Sequence, residues 1–395
     1  MITHCFIQRI RASRNACTFL LAPLLFFVSC QSTSSPQQAS ASPSPVQAVP
    51  QSPASVFPLG PFVKANDLNP ILAPRGITMF ACPIRQQAVA WEVKDVFNPA
   101  TIVRDDTVWM LYRAEDTLGQ HGGTSRIGLA YSADGLHFER LLYPVLYPSI
   151  DPAQKLEWDG GCEDPRLVQD SAGNYWMTYT AYDGETARLS IASSPDLRRW
   201  VKYGPVFMRI EDGKYMDLWS KSGAIVCRKE GNQMIATRIQ GKYWMYWGDT
   251  QMFLATSEDL ISWTPLMDEQ GEFIAAFGPR PGKFDSRLVE PGPPPFLTDS
   301  GIVLLYNGMN LPHREGGDPS LAEGAYASGQ ALLSADDPSQ LLRRTPGPFL
   351  QPDQPYEIEG QVNQVVFIEG LAFLENSAFL YYGTADSKIG VAYRR

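Results

Sequence analysis

The chain has 395 residues, 44% of them hydrophobic and 11% aromatic, which is enough for two domains or for one large all-β domain. Its formal net charge is −9 and it carries no basic run. That excludes nucleic acid as a partner, because phosphate contacts need clustered Lys and Arg.

The first element is an export signal. Arg9, Arg11 and Arg14 precede a short apolar run, Phe19 to Val28, which is too short to span a bilayer and ends at Ser29-Cys30. The pattern predicts a signal peptide over residues 1–29. Phe27-Val28-Ser29-Cys30 resembles the bacterial lipobox, which implies acylation of Cys30; ordinary secretion is the alternative. Residues 30–57 are nearly all Gln, Ser, Thr, Ala, Pro and Val. Such a segment cannot bury enough apolar area to offset its ordering entropy, so a disordered tether is expected. Together these predict an exported lipoprotein on the periplasmic or cell-surface side, touching the membrane through its anchor alone.

Residues 58–395 carry a fivefold repeat. An aromatic-rich strand is followed by a short strand ending in a small residue. The first strands are centred on Tyr112, Tyr179, Tyr246, Tyr306 and Tyr382, and the second strands end at Ala130, Ala192, Ala255, Leu333 and Ala392. Ser132-Ala133-Asp134-Gly135, Ser194-Pro195-Asp196, Ser257-Glu258-Asp259 and Ser334-Ala335-Asp336 follow four of them. Ser and Asp close tight turns through side-chain bonds to nearby backbone. Strands rich in Tyr, Trp, Val and Ile, with no long helical period, predict an all-β fold. Five repeats of this kind predict a five-bladed β-propeller. The fifth copy ends at the C-terminus, so the N-terminal part of the folded region is expected to supply its outer strand.

Ahead of each aromatic strand stands a polar residue beside Pro, Gly or a small residue. The five are Asn98-Pro99-Ala100, Glu163-Asp164-Pro165-Arg166, Lys221-Ser222-Gly223-Ala224, Glu290-Pro291-Gly292-Pro293 and Asn363-Gln364-Val365. In a propeller these positions converge on the axis and predict a carboxylate-lined funnel. Glycoside cleavage uses such a place, where one group protonates the leaving oxygen and another serves the nucleophile. Paired carboxylates also push each other's pKa values apart. Each residue has a plainer reading. Asp164 caps a turn, Arg113 is a surface charge, Glu163 and Arg166 pair with each other, and Asp249 is a turn residue after Gly248. Cys82, Cys162 and Cys227 are odd in number and lack metal-ligand spacing, so small buried hydrophobes are expected and neither a disulfide framework nor a metal site.

Several of these runs resemble glycoside hydrolase family 130, the mannoside phosphorylases and β-mannosidases. They are Asn98-Pro99-Ala100, Tyr112-Arg113, Ser125-Arg126-Ile127-Gly128, Gly160-Gly161-Cys162-Glu163-Asp164-Pro165-Arg166, Tyr179-Thr180-Ala181 and Tyr382-Gly383-Thr384-Ala385-Asp386. The resemblance covers nearly all of residues 90–395 and implies a five-bladed propeller. It implies that Asp164 is a general acid relaying its proton through a sugar hydroxyl. Asn98, Arg113 and Asp386 match positions holding the mannosyl unit, and Arg126, Glu163 and Arg166 fall in the matched runs as further substrate-binding candidates. Lys221 resembles a phosphate-site lysine.

The chain departs from the phosphorylase pattern in three places. It has Tyr306-Asn307-Gly308 for Tyr-His-Gly, Trp247-Gly248-Asp249 for His-Arg-Pro, and Glu290 at the head of a run that is Gly-rich in phosphorylases. Glu290 and Asp249 thereby become candidate catalytic bases. The expected activity is inverting hydrolysis of β-mannosides or related oligosaccharides, with no cofactor. The alternatives are phosphorolysis, with inorganic phosphate as co-substrate and mannose 1-phosphate as product, and a non-catalytic glycan-binding propeller.

Overall fold

The computed structural model describes residues 57–395. The expected signal segment, Cys30 and all of the tether before Phe57 lie outside the described residues. The fold is an all-β, five-bladed propeller. Blade 1 runs outward through Asp95–Arg104, Thr107–Glu115, Ser125–Ser132 and Glu139–Arg140. Blade 2 comprises Gly161–Gln169, Tyr175–Tyr182, Ala187–Ser194 and Val201–Pro205. Blade 3 has Ala224–Ile225, Lys242–Trp247, Met252–Ser257 and Trp263–Pro265. Blade 4 starts on the split strand Leu288–Pro291 and Phe296–Thr298, then Gly301–Met309, Tyr326–Leu333 and Leu341–Arg344.

Blade 5 comprises Val366–Leu374, Ser377–Thr384 and Lys388–Arg394, and its outer strand is Val63–Lys64, paired as Val63 with Tyr393 and Lys64 with Ala392. The N-terminal strand therefore closes the ring, as the missing outer strand of the last repeat required. In blade 3 a hairpin, Cys227–Glu230 with Gln233–Ala236, interrupts the repeat and pairs in parallel with the inner strands of blades 2 and 4.

The repeat builds a core between each pair of blades. Leu111 and Leu129 of blade 1 share a cluster with Leu167 and Met177 of blade 2, and Tyr246 and Leu254 of blade 3 share one with Leu304 and Tyr306 of blade 4. The four Ser/Asp turns close as expected: Gly135 N–H donates to Ser132 Oγ at 2.9 Å, Arg198 N–H to Asp196 at 2.9 Å, Ile261 N–H to Asp259 at 2.9 Å and Asp336 N–H to Ser334 Oγ at 3.1 Å. Cys82, Cys162 and Cys227 are free and buried.

The five repeat tyrosines are fully buried. In three blades a glycine faces the tyrosine across the ladder, as Gly128 faces Tyr112, Gly329 faces Tyr306 and Gly390 faces Tyr382. A Cβ on Gly128 would lie 2.3 Å from the Tyr112 ring, so only glycine leaves room there. A buried phenol needs a partner. Four of the five donate to a buried carboxylate: Tyr112 to Glu92 at 3.0 Å, Tyr179 to Glu157 at 2.9 Å, Tyr306 to Asp285 at 2.7 Å and Tyr382 to Glu357 at 2.9 Å. Each carboxylate meets a cation from the outer strand of its own blade, namely Arg140, Lys202, Arg344 and Lys64. Blade 3 differs, since Tyr246 donates to the Pro338 carbonyl at 2.7 Å. These locks tie the second strand of four blades to the fourth.

Candidate active site

Asn98 and Asp164 occupy the same place on the inner strands of blades 1 and 2. Each sits at a bulge in the ladder, and each has φ of 48°. A bulge re-aims a side chain, and Asn and Asp are the non-glycine residues that best tolerate this backbone. Ser222 repeats the feature in blade 3 with φ of 54°. Sheet structure alone would not hold these side chains together; the bulges turn them toward one another.

Asp164 Oδ1 accepts from Asn98 Nδ2 at 2.8 Å and from Arg113 Nη1 at 3.1 Å. The Arg113 guanidinium also donates to Glu163 at 2.9 Å, to Glu115 at 2.7 Å and to Ser125 Oγ at 3.0 Å. Glu115 takes a further bond from Lys94 at 2.7 Å. The Lys221 ammonium lies 3.7 Å from Glu163. Opposite, Ser222 Oγ donates to Glu290 at 2.8 Å, and Trp219 Nε1 donates to Asp249 at 2.9 Å. Asn98, Arg113, Glu163, Asp164, Lys221, Glu290, Asp249 and Asp386 therefore share one electrostatic neighbourhood.

Burial pushes the carboxylates apart in acidity. For Asp164 burial works to raise the value, but Arg113, Lys221 and the Asn98 amide overcome it and hold the carboxyl at about 2. Burial lifts Glu163 above its usual range against the pull of Arg113 and Lys221. Glu290 is raised to about 7 by burial and by the nearby charge of Asp249. Asp386 is raised to about 7 by burial, against Arg113. In the free site Asp164 is thus an anion, while Glu290 and Asp386 titrate near neutrality.

A stability consequence follows. A carboxyl whose folded pKa exceeds its unfolded value stabilises the fold fully below the unfolded pKa and ceases to do so as pH rises through the folded one. Glu290 and Asp386 at about 7, with Asp95 at about 6, all act in that sense. The melting temperature is expected to fall between pH 5 and pH 8 in wild type and to fall less in a Glu290→Gln, Asp386→Asn double variant. Equal slopes in calorimetric scans of the two proteins would refute this.

Three sequence expectations need correction. Arg126 does not face the site. Side chains alternate along a strand, so Ser125 points in and Arg126 points away, fully buried against Asp116 at 2.7 Å and stacked over Phe80. Arg166 is buried too, and spends its donors on the carbonyls of Pro291 at 2.7 Å and Gly292 at 3.0 Å, with its guanidinium in an ion pair with Glu369 at 2.9 Å. It ties blade 2 to blades 4 and 5 beneath the site, and neither substrate nor Glu163 is its partner. Asn363 is exposed and bonded locally to Gly360, so blade 5 contributes Asp386 and Glu369 to the axis instead.

Lys221 pairs with Glu163 and not with Glu290. Asn307 is fully buried, donating to the Ile368 carbonyl and accepting from the Ile368 N–H, both at 2.9 Å. It joins blades 4 and 5 and presents nothing to a ligand. Glu115 and Glu369 were not expected. Glu115 stands two residues after Arg113, on the same strand face, which was a readable signal. Glu369 sits at the bulge of the inner strand of blade 5, the place Asn98 and Asp164 hold in blades 1 and 2, and was missed because that place was sought at Asn363-Gln364-Val365; burial raises its carboxyl well above the usual range, against the pull of Arg166. Among the described residues no group of three or more His, Cys, Asp or Glu is arranged to hold a metal ion.

A five-bladed propeller here carries a buried Asp164–Arg113–Glu163 cluster with a second acid pair, Glu290 and Asp249, in the same neighbourhood, an arrangement of paired carboxylates compatible with glycoside cleavage. Comparison makes this specific. The family model of glycoside hydrolase family 130, described as beta-1,4-mannooligosaccharide phosphorylase, matches residues 63–395, and the chain belongs to this family of mannoside-active enzymes. It is 32% identical over 313 residues to a 1,2-beta-oligomannan phosphorylase of Thermoanaerobacter sp. (strain X514), covering 76% of this chain and 90% of that one. It superposes with a TM-score of 0.82 and 45% identity on a structure solved with the finding that the GH130 family of mannoside phosphorylases contains glycoside hydrolases that target beta-1,2 mannosidic linkages in Candida mannan, covering 85% of this chain and 93% of the other. A glycosyl hydrolase from Bacteroides ovatus gives a TM-score of 0.80 at 44% identity, covering 84% of this chain and 93% of the other.

Proposed function

We propose that this enzyme hydrolyses β-mannosides, β-1,2-linked ones foremost, with inversion at the anomeric carbon. The observation that carries the reading is the state of the cations. Arg113 is already shared among Glu115, Glu163 and Asp164, and Lys221 faces Glu163. A phosphate dianion needs free cationic donors to receive it. What faces the cluster instead is Glu290 with Asp249. A unit negative charge about 4 Å from a phosphate charge opposes it by roughly 4 kcal/mol at an effective dielectric near 20.

Asn98, Arg113 and Asp386 hold the mannosyl unit. Asp164 is the acid; it delivers a proton through a sugar hydroxyl to the leaving oxygen. Arg113 keeps Asp164 ionised in the free site, so Asp164 takes up a proton from solvent as the sugar binds and passes that proton to the sugar hydroxyl, whose own proton goes to the leaving oxygen. Glu290 at about 7 is suited to take a proton from water at neutral pH, with Asp249 beside it. The β-1,2 preference rests on the relatives whose printed substrates carry that linkage.

Phosphorolysis is the second reading, and the curated relatives favour it, since those matched are mannoside phosphorylases. Incubation with β-1,2-mannobiose, with and without inorganic phosphate, separates the two. Free mannose released at the same rate in both is expected. Strict phosphate dependence with mannose 1-phosphate as product would overturn hydrolysis.

We further propose export with Cys30 as the acylated anchor, which rests on the Ser29-Cys30 run behind an apolar segment and ahead of a Ser/Pro/Gln tether. Cys30→Ser is expected to shift the protein from membrane to soluble fractions. A variant that stays with the membrane would rule the anchor out.

A further inference from the structure

Glu369 is wholly buried, and among the described residues its carboxylate oxygens make no hydrogen bond. Its polar contact is the Arg166 guanidinium, 2.9 Å away and buried as well. A buried acid with so little bonding calls for an explanation. Stability is a poor one, because well-packed apolar residues commonly serve a core as well as a buried ion pair does. Its backbone place is more telling. Glu369 stands at the bulge of the inner strand of blade 5, where blades 1 and 2 carry Asn98 and Asp164.

The carboxylate stands on a fixed stretch of chain. Ile368, before it, accepts from and donates to the Asn307 amide, both at 2.9 Å, and Asn307 lies opposite Glu290 in the ladder of blade 4. Gly370, after it, packs so closely on blade 1 that a Cβ there would lie 2.7 Å from the Pro99 carbonyl. Arg166 joins this anchor to the two acids. Its Nη1 meets Glu369 and also donates to the Asp164 carbonyl at 3.3 Å. Its Nη2 donates at 2.7 Å to the carbonyl of Pro291, the residue after Glu290, and its Nε at 3.0 Å to that of Gly292. A guanidinium is planar and holds its donors in a fixed fork, so turning it toward one partner moves it away from the others. One group thus grips the chain at Asp164 and just past Glu290, and Glu369 orients that group from a third blade.

We propose that Glu369 is a positioning residue: through Arg166 it fixes the backbone carrying Asp164 against the backbone carrying Glu290, and so sets the gap between acid and base. The inference rests on the hydrolytic reading above, in which those two residues take those roles. An inverting pair needs a set separation, because a water has to fit between the base and the sugar. Side-chain length and an acceptor oxygen are what the role demands. Burial holds the Glu369 carboxyl well above the usual range against the pull of Arg166. An amide of the same length is therefore a close replacement, whereas a carboxyl one methylene shorter is not.

The test is kcat and KM on β-1,2-mannobiose without added phosphate, reading free mannose, with the melting temperature of each protein measured beside them. Glu369→Asp is expected to lower kcat by about tenfold or more, because a small misplacement of reacting groups costs at least that. KM is expected to stay unchanged, since a loss confined to kcat marks an interaction made in the transition state. Arg166→Lys, which keeps the charge but not the fork, is expected to behave in the same way. Glu369→Gln is expected to keep most of the wild-type kcat. Wild-type kcat in either folded variant, Glu369→Asp or Arg166→Lys, makes the pair structural only and overturns the positioning alone, whatever happens to the melting temperature. So does a Glu369→Gln variant that loses as much as Glu369→Asp, because charge and not place would then be the cause. A wild type that cleaves only when phosphate is added overturns the hydrolytic reading and the proposal with it.

Discussion

Asp164→Asn is expected to reduce turnover by about 10²–10⁴-fold, the usual contribution of a general acid, while leaving the fold intact. The substitution is isosteric. The bulge and its left-handed backbone suit Asn as well as Asp, as Asn98 demonstrates at the matching place in blade 1 with the same φ of 48°. Arg113 retains Glu163 and Glu115 as partners, so no buried cation is stranded. What disappears is the one group placed against both Asn98 and Arg113 that can pass a proton to a bound sugar. The readout is kcat on a mannoside whose leaving group needs protonation, beside an aryl mannoside whose leaving group does not. The acid assignment requires the loss to be far larger on the first. Near wild-type turnover on both, or equal losses on both with an unchanged melting temperature, would remove Asp164 from that role.

The propeller was legible because its signal is repeated. Five tyrosine strands, four Ser/Asp turns and a C-terminus lacking an outer strand agree with one topology, and the Val63–Lys64 strand completes it. The site was legible less evenly: Asn98 and Asp164 hold the same bulge in blades 1 and 2, whereas Glu369 holds it in blade 5 and was not picked out. Asn98 and Asp164 could be paired in advance, while Arg126 could not be told from Ser125, because one step along a strand reverses the side chain. Arg166 was misread for a different reason. Its partners are backbone carbonyls of another blade and Glu369, about 200 residues away in sequence, and no local pattern encodes them. The locks behind the tyrosines did leave a trace. The carboxylate precedes its tyrosine by 20 residues in blade 1, 22 in blade 2, 21 in blade 4 and 25 in blade 5. Acids at such spacings read as loop residues unless the burial of the phenol is known.

Those locks carry the second large expected effect. Lys202→Met is expected to destabilise the protein by about 3–5 kcal/mol at pH 8, the range for removing one partner of a buried pair. Glu157 is fully buried, and its cation is Lys202 from the outer strand of its own blade. With the ammonium gone the carboxylate can only protonate or disrupt the packing around Tyr179. Burial already lifts Glu157 above the usual range even with Lys202 present, and losing the lysine lifts it further. The stability that depends on a neutral Glu157 is retained at low pH and lost as pH rises through that higher value. The cost of Lys202→Met should therefore be smaller at pH 5 than at pH 8, and a Glu157→Gln, Lys202→Met double variant should recover much of the loss, since the amide needs no counter-charge and can still accept from Tyr179. Blade 3 supplies the contrast. Tyr246 donates to the Pro338 carbonyl, so Tyr246→Phe removes one neutral hydrogen bond and is expected to cost about 1 kcal/mol with little dependence on pH. Denaturant titrations at the two pH values decide the matter. If Lys202→Met costs no more than Tyr246→Phe at pH 8, the outer strands are held by packing alone and the charged locks contribute nothing to closing the blades.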